Sequence, residues 1–99
     1  MEVKKTVDGK RMEIKLIGKF NAASAPVFEK EIAEQLEGIT SIAVDMGEVD
    51  YISSAGIRAL LFLQQTLDEV SGEMVIKNVP EIVAKIFEVT GIPDIITIE

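Results

Sequence analysis

Three short apolar runs, Ile39–Val44, Met74–Ile76 and Ile95–Ile98, are held apart by stretches whose apolar residues recur at helical spacing. No other feature limits the fold so strongly. A strand that leads into a helix and then into another strand must cross back over the sheet, so the strands run parallel and the crossovers are right-handed. The intervening stripes are Val27, Phe28, Ile32 and Leu36, then Ile57, Leu60, Leu61, Leu63, Leu67 and Val70 with Phe62 to the side, then Ile82, Val83, Ile86 and Phe87. Each recurs at three- and four-residue steps, the period of one helix face.

Upstream of these units the pattern changes to simple alternation. Val3, Lys5 and Val7, and then Met12 to Leu16, alternate apolar with polar residues around Asp8-Gly9, which predicts a β-hairpin with Asp8-Gly9 as its turn and Gly18 closing the second strand. Punctuation divides the rest. Ser24 before Ala25-Pro26 reads as a helix start and Gly38 as its end. The run Ile39–Val44 is expected to stop at Asp45, followed by a loop through Gly47 and Asp50. Ser53-Ser54 introduces a helix over Ala55–Val70 that Gly72 ends, and Asn78-Val79-Pro80-Glu81 resembles a capping box opening a helix that Thr90-Gly91 stops. The predicted fold is a single α/β domain over residues 1–99 of order β-β-α-β-α-β-α-β, with a mixed, mostly parallel sheet and helices packed on it.

Composition narrows the chemistry. A length of 99 residues suits one domain, and 47% apolar residues supply its core. Histidine and cysteine are both absent, which removes Ser-His-acid triads, histidine and thiolate metal sites, disulfides and the usual general base near neutral pH. Gly47 and Gly56 stand alone, so no glycine-rich phosphate loop is present. The reading is of a protein that is not an enzyme and uses no cofactor or metal. The net charge of −7 repels nucleic-acid phosphates and anionic lipid, disfavouring both as partners. No apolar stretch approaches the ~20 residues of a membrane span, and Met1-Glu2-Val3-Lys4-Lys5-Thr6 lacks the apolar core of a signal peptide, so a cytoplasmic location is expected.

One segment stands out, Asp45-Met46-Gly47-Glu48-Val49-Asp50-Tyr51-Ile52-Ser53-Ser54-Ala55-Gly56-Ile57. A strand here delivers two hydroxyls to a helix N-terminus, where backbone N–H groups lack partners. Either serine could be a simple N-cap. Alternatively, one of them is a phosphorylation site whose phosphate the helix dipole and free N–H groups would receive.

The stretch Ile52-Ser53-Ser54-Ala55-Gly56-Ile57-Arg58-Ala59-Leu60-Leu61 resembles the signature of the STAS family, in particular its bacterial anti-sigma factor antagonists. Leu16 to Ala22 with Ala25-Pro26, Val44-Asp45 with Val49, and Val83 to Ile92 are similar to other parts of the family pattern, in the same order and spacing. The resemblance implies that an anti-sigma factor with serine kinase activity phosphorylates the chain at Ser54, with Ser53 as rival acceptor. The unphosphorylated form would bind that anti-sigma factor and free a sigma factor; phosphorylation would break the complex, and a PP2C-type phosphatase would restore it. Asn21, Ser53, Ala55, Gly56, Ile57, Arg58 and Leu61 become candidate partner contacts, with Ile57 and Arg58 expected on the solvent side of their helix. Ser53, Asn21 and Arg58 depart from the best-known members, which carry acids at the first two positions and glycine at the third. A turn role is the alternative for Asn21.

Two other readings compete. STAS domains also serve as non-switching assembly subunits of transporters and multiprotein complexes. A small hydrolase built on Asp45 and Ser54 lacks both a base and an oxyanion-hole motif.

Overall fold

The computed structural model describes residues 1–99 and begins with the hairpin. Strand β1 (Glu2–Asp8) pairs antiparallel with β2 (Arg11–Phe20), and Asp8 faces Arg11 across the ladder. The two turn residues are therefore Gly9 and Lys10, not Asp8-Gly9 as the sequence suggested. Only Gly9 of the pair has positive φ (+62°), which suits a turn with glycine at its first central position. Then follow α1 (Ala25–Ala33), β3 (Ser41–Ile52), α2 (Ser54–Asp68), β4 (Glu73–Lys77), α3 (Glu81–Thr90), a 3₁₀ turn (Ile92–Asp94) and β5 (Thr97–Ile98). The sheet order is β1-β2-β3-β4-β5, parallel everywhere except in the hairpin, as the alternating pattern requires.

Because β2 to β5 step across the sheet in one direction, right-handed crossovers place all three helices on one face. Burial agrees. Met12, Ile14 and Leu16 of β2, Ile42, Val44 and Met46 of β3, and Met74 and Ile76 of β4 join one core cluster with Phe28, Leu60, Val83 and Phe87 from the helices. Ala43 is buried but lies outside that cluster, on the opposite face. That face carries charge, with Lys15 2.7 Å from Glu48 and Glu13 reached by both Arg11 (3.4 Å) and Lys77 (3.8 Å). Surface pairs of this kind are worth little individually, but they keep an open sheet face wet. Lys5 takes a core-side position in β1 and reaches α1, where its ammonium donates to the Glu31 carbonyl and lies 3.1 Å from the Glu31 carboxylate.

Several boundaries differ from the sequence reading, each for a local reason. Gly18 does not close β2; at φ +107° it sits inside the strand beside a register shift. The apolar run at Ile39–Val44 does not stop at Asp45, because β3 continues to Ile52. Two extra residues bulge from β3 opposite β2, between the pairs Lys15↔Asp45 and Ile17↔Glu48 and between Gly18↔Val49 and Lys19↔Tyr51. Bulges break the two-residue period, so this half of the strand looks like a loop in sequence. Helix α1 ends at Ala33 rather than near Gly38, and α2 ends at Asp68. After α2 the left-handed residue is Ser71 (φ +55°), while Gly72 is required for space, since a Cβ there would lie 2.6 Å from the Thr40 carbonyl oxygen. The expected capping box before α3 does not form: Pro80 occupies the N-cap, without any side-chain cap, and Asn78 adopts φ +58°. Ile82 points outward at 60% exposure rather than inward, and of the expected strand Ile95–Ile98 only Thr97–Ile98 pairs. Gly91, at φ +77°, ends α3 as anticipated.

Candidate functional site

The serine segment owes its position to the end of β2. The Phe20 carbonyl accepts a 2.9 Å hydrogen bond from the Ser53 N–H, just where Phe20 pairs with Ile52. Gly56 packs against the same point. A Cβ on it would stand 2.8 Å from the Phe20 carbonyl oxygen and 2.9 Å from Ile52 Cγ1, so only glycine lets the first turn of α2 settle onto the strand ends. The sequence reading missed this contact, although a glycine two residues inside a helix is a signal that something approaches closely.

The two serines are thereby separated in role. Ser53 is extended (φ −103°, ψ 175°) and stands at the N-cap, yet its hydroxyl makes no capping bond. Its Oγ is enclosed and has no hydrogen-bond partner. Ser54 is the first helical residue and is exposed. The Ile57 N–H bonds the Ser53 carbonyl at 3.0 Å, which leaves the N–H groups of Ser54, Ala55 and Gly56 as the unpaired donors of the first turn, with no side chain capping them. These donors and the positive end of the helix dipole suit an anion on the Ser54 hydroxyl.

Around Ser54 the candidate contacts divide. Arg58 is exposed and belongs to no ion pair; Ala55 and Leu61 are half-buried. Ile57 is not on the solvent side as expected: at 9% exposure it belongs to the core, and Gly56 is buried with it. Asn21 directly follows Phe20 and starts the turn that leads into α1. Its Oδ1 accepts from the Ala23 and Ser24 N–H groups at 3.1 Å each, while its own N–H donates to Ser24 Oγ at 2.8 Å. Ser24 Oγ donates in turn to the Lys19 carbonyl, so Ser24 ties the loop together instead of capping α1.

At the other end of the bulged segment Asp45 turns back on its own strand. Its Oδ1 accepts from the Gly47 N–H at 2.9 Å. That hydrogen bond, helped by the Asn78 side chain and by Lys15 and Lys77, holds the Asp45 carboxyl below the usual aspartate range against the opposing effect of burial. The same contacts link the β3 bulge to the loop before α3. No three His, Cys, Asp or Glu side chains gather as metal ligands, and no helix is long and apolar enough to cross a membrane.

A five-stranded mixed sheet covered on one face by three helices, with two serines at the start of α2, defines a class. The chain belongs to the STAS domain family, whose profile matches residues 2–99. Among relatives, it is 39% identical over 77 residues to BtrV of Bordetella bronchiseptica, which is named for anti-sigma factor antagonism, a match spanning 77% of this chain and 66%, just under two thirds, of that protein. It is 29% identical over 94 residues to the anti-sigma-B factor antagonist of Listeria monocytogenes, covering 93% of this chain and 82% of that one. Solved structures share the fold. The crystal structure of tm1081 from Thermotoga maritima superposes with a TM-score of 0.90 at 15% identity, covering 97% of this chain and 84% of the other. SpoIIAA of Bacillus in its phosphorylated form superposes with a TM-score of 0.78 at 17% identity, over 99% of this chain and 91% of the other.

Proposed function

We propose that this chain is an anti-sigma factor antagonist that works in the cytoplasm as a phosphorylation switch. Unphosphorylated, it binds an anti-sigma factor and so frees a sigma factor. The anti-sigma factor, acting as a serine kinase, transfers the γ-phosphoryl of ATP to Ser54 Oγ with release of ADP and of the hydroxyl proton. A PP2C-type phosphatase hydrolyses the phosphoserine and resets the switch. The names of the relatives support the antagonist role, and the motif from Ile52 to Leu61 supports the switch.

The observation that carries the choice of residue is the contrast between the neighbouring hydroxyls. Ser54 is exposed on the first turn of α2, whereas Ser53 Oγ is enclosed. A kinase reaches the first without disturbing the fold and the second only by opening the junction. The contact surface for the anti-sigma factor is then Ser54 with Ala55, Arg58 and Leu61 along α2 and Asn21 on the adjacent loop, while Ser53, Gly56 and Ile57 shape that surface from beneath.

Phosphate at Ser54 adds about −1.5 to −2 charges at neutral pH. The free N–H groups favour an exposed anion by about 0.3–1 kcal/mol, so local structure persists. Against a partner the same group must be desolvated, at a cost of several kcal/mol if unpaired, and each 1.4 kcal/mol is roughly tenfold in affinity. Release therefore needs no change of fold. The test is incubation with candidate anti-sigma kinases and ATP followed by phosphosite mapping. Label on Ser54 that disappears in Ser54→Ala supports the switch; label on Ser53 instead reassigns the acceptor. Tight partner binding with no label by any kinase would favour a non-switching assembly subunit.

A further inference from the structure

Helices α1 and α2 do not close over one another completely. Between them runs an apolar groove, a cavity of about 50 Å³ floored by Phe28, Ile32 and Leu63, which adjoins at Leu36 and Thr66 a second cavity of about 310 Å³ between the loop that follows α1 and the end of α2 at Val70. Along α2 the groove extends from Ala59 beyond the helix end, roughly three helical turns. Its wall is unusual for a free surface. Phe62 is 64% exposed and Val70 55% exposed, and both line it. The core already holds Ala59, Leu60, Leu63 and Leu67 from α2, so Phe62 is not needed to close the fold.

The charge around the groove is one-sided. Glu29 and Glu37 line it, Glu69 follows at the end of α2, and no lysine or arginine takes part. None of these three carboxylates is engaged in an ion pair, unlike Glu31 and Glu34 on the far side of α1, which Lys5 holds. An apolar floor beneath an unpaired acidic rim is complementary to a helix with large apolar residues on one face and lysines or arginines beside them. A second copy of this chain would bring the same acidic rim and a further net charge of −7, and an anionic membrane would be repelled in the same way.

We infer that the α1/α2 groove is a docking surface for a basic amphipathic helix of a partner protein, separate from the Ser54 end of α2. The occupant seats an apolar side chain against Phe62 and Leu36 and places cations at Glu29 and Glu37. Docking here would tether a partner on one flank of α2 while leaving the Ser54 hydroxyl open, and it does not depend on Ser54 being phosphorylated.

An NMR titration tests this with the whole chain, isotope-labelled, and an 18-residue amphipathic helical peptide of leucine and lysine as the probe. A matched leucine–glutamate peptide is the control. Saturable shifts confined to the amides around Ala33, Leu36, Phe62, Thr66 and Val70 are expected, with no binding of the acidic peptide. Phe62→Ser, at an exposed position that leaves the core intact, should weaken binding at least tenfold, and Glu29→Lys with Glu37→Lys should do so through charge alone. Shifts spread over the surface or centred on Ser54 would overturn the inference, as would equal binding of the acidic peptide or indifference to both sets of variants. Sedimentation showing a dimer that Phe62→Ser abolishes would assign the groove to a second copy instead and also overturn it.

Discussion

A serine at a helix N-cap ordinarily accepts a hydrogen bond from the first turn, and its replacement by alanine costs about 1 kcal/mol. Ser53 makes no such bond and its hydroxyl is enclosed without a partner, a condition that itself costs about 1–3 kcal/mol. Ser53→Ala is therefore expected to leave stability unchanged or raise it by about 1 kcal/mol, the opposite of normal cap removal, as urea denaturation would read. A loss of 1 kcal/mol or more would mean that Ser53 caps α2 in solution. Phosphorylation at Ser54 should survive this substitution. Arg58 adds a second residue-scale expectation: exposed, unpaired and one turn beyond Ser54, it is placed to face a partner's acidic group or the Ser54 phosphate. Arg58→Gln should shift partner affinity severalfold with no measurable change in melting temperature.

Elements show why some of this was legible in the sequence and some was not. The βα alternation was legible because each crossover helix carries its own apolar stripe and each parallel strand its own β-branched run. The second half of β3 was not, since two bulges and the charged residues Glu48 and Asp50 erase its period. Ile57 was misplaced because helical spacing gives a stripe but not its edges, and the first turn of α2 packs closely on the strand ends where Gly56 meets Phe20. Gly56→Ala should cost about 1–3 kcal/mol by pushing that turn off the strand ends, and Ile57→Ala about 2–5 kcal/mol as a core truncation, both measured by denaturation. The motif around Ser54 was legible residue by residue, but which hydroxyl faces solvent depends on the extended backbone of Ser53, which no spacing reveals. Asp45 links β3 to the loop before α3, and its carboxyl is held below the ordinary aspartate range. A depressed folded value means that its contribution is present above about pH 4 and is lost as the pH falls through the lower value. Asp45→Asn should flatten this part of the acid limb of stability against pH, and an unchanged limb would remove Asp45 from the account.

At the scale of the whole molecule, the arrangement separates support from signal. One face of the sheet holds the core and all three helices, the other is a charged open face, and the first turn of α2 presents Ser54 at the edge of the covered layer. A net charge of −7 disfavours contact with nucleic-acid phosphates, and a phosphate on the exposed Ser54 would make one surface point still more negative without touching the core. Ser54→Asp, with one charge and a similar position, should bind the anti-sigma factor at least about tenfold more weakly than the unmodified protein. The most direct measurement is calorimetric titration of the anti-sigma factor with unmodified protein and with protein phosphorylated at Ser54, paired with an NMR fingerprint of each. A phosphorylation switch at Ser54 requires at least a tenfold loss of affinity, with shifts confined to the start of α2 and the adjoining Asn21 loop. Equal affinities for the two forms would contradict it.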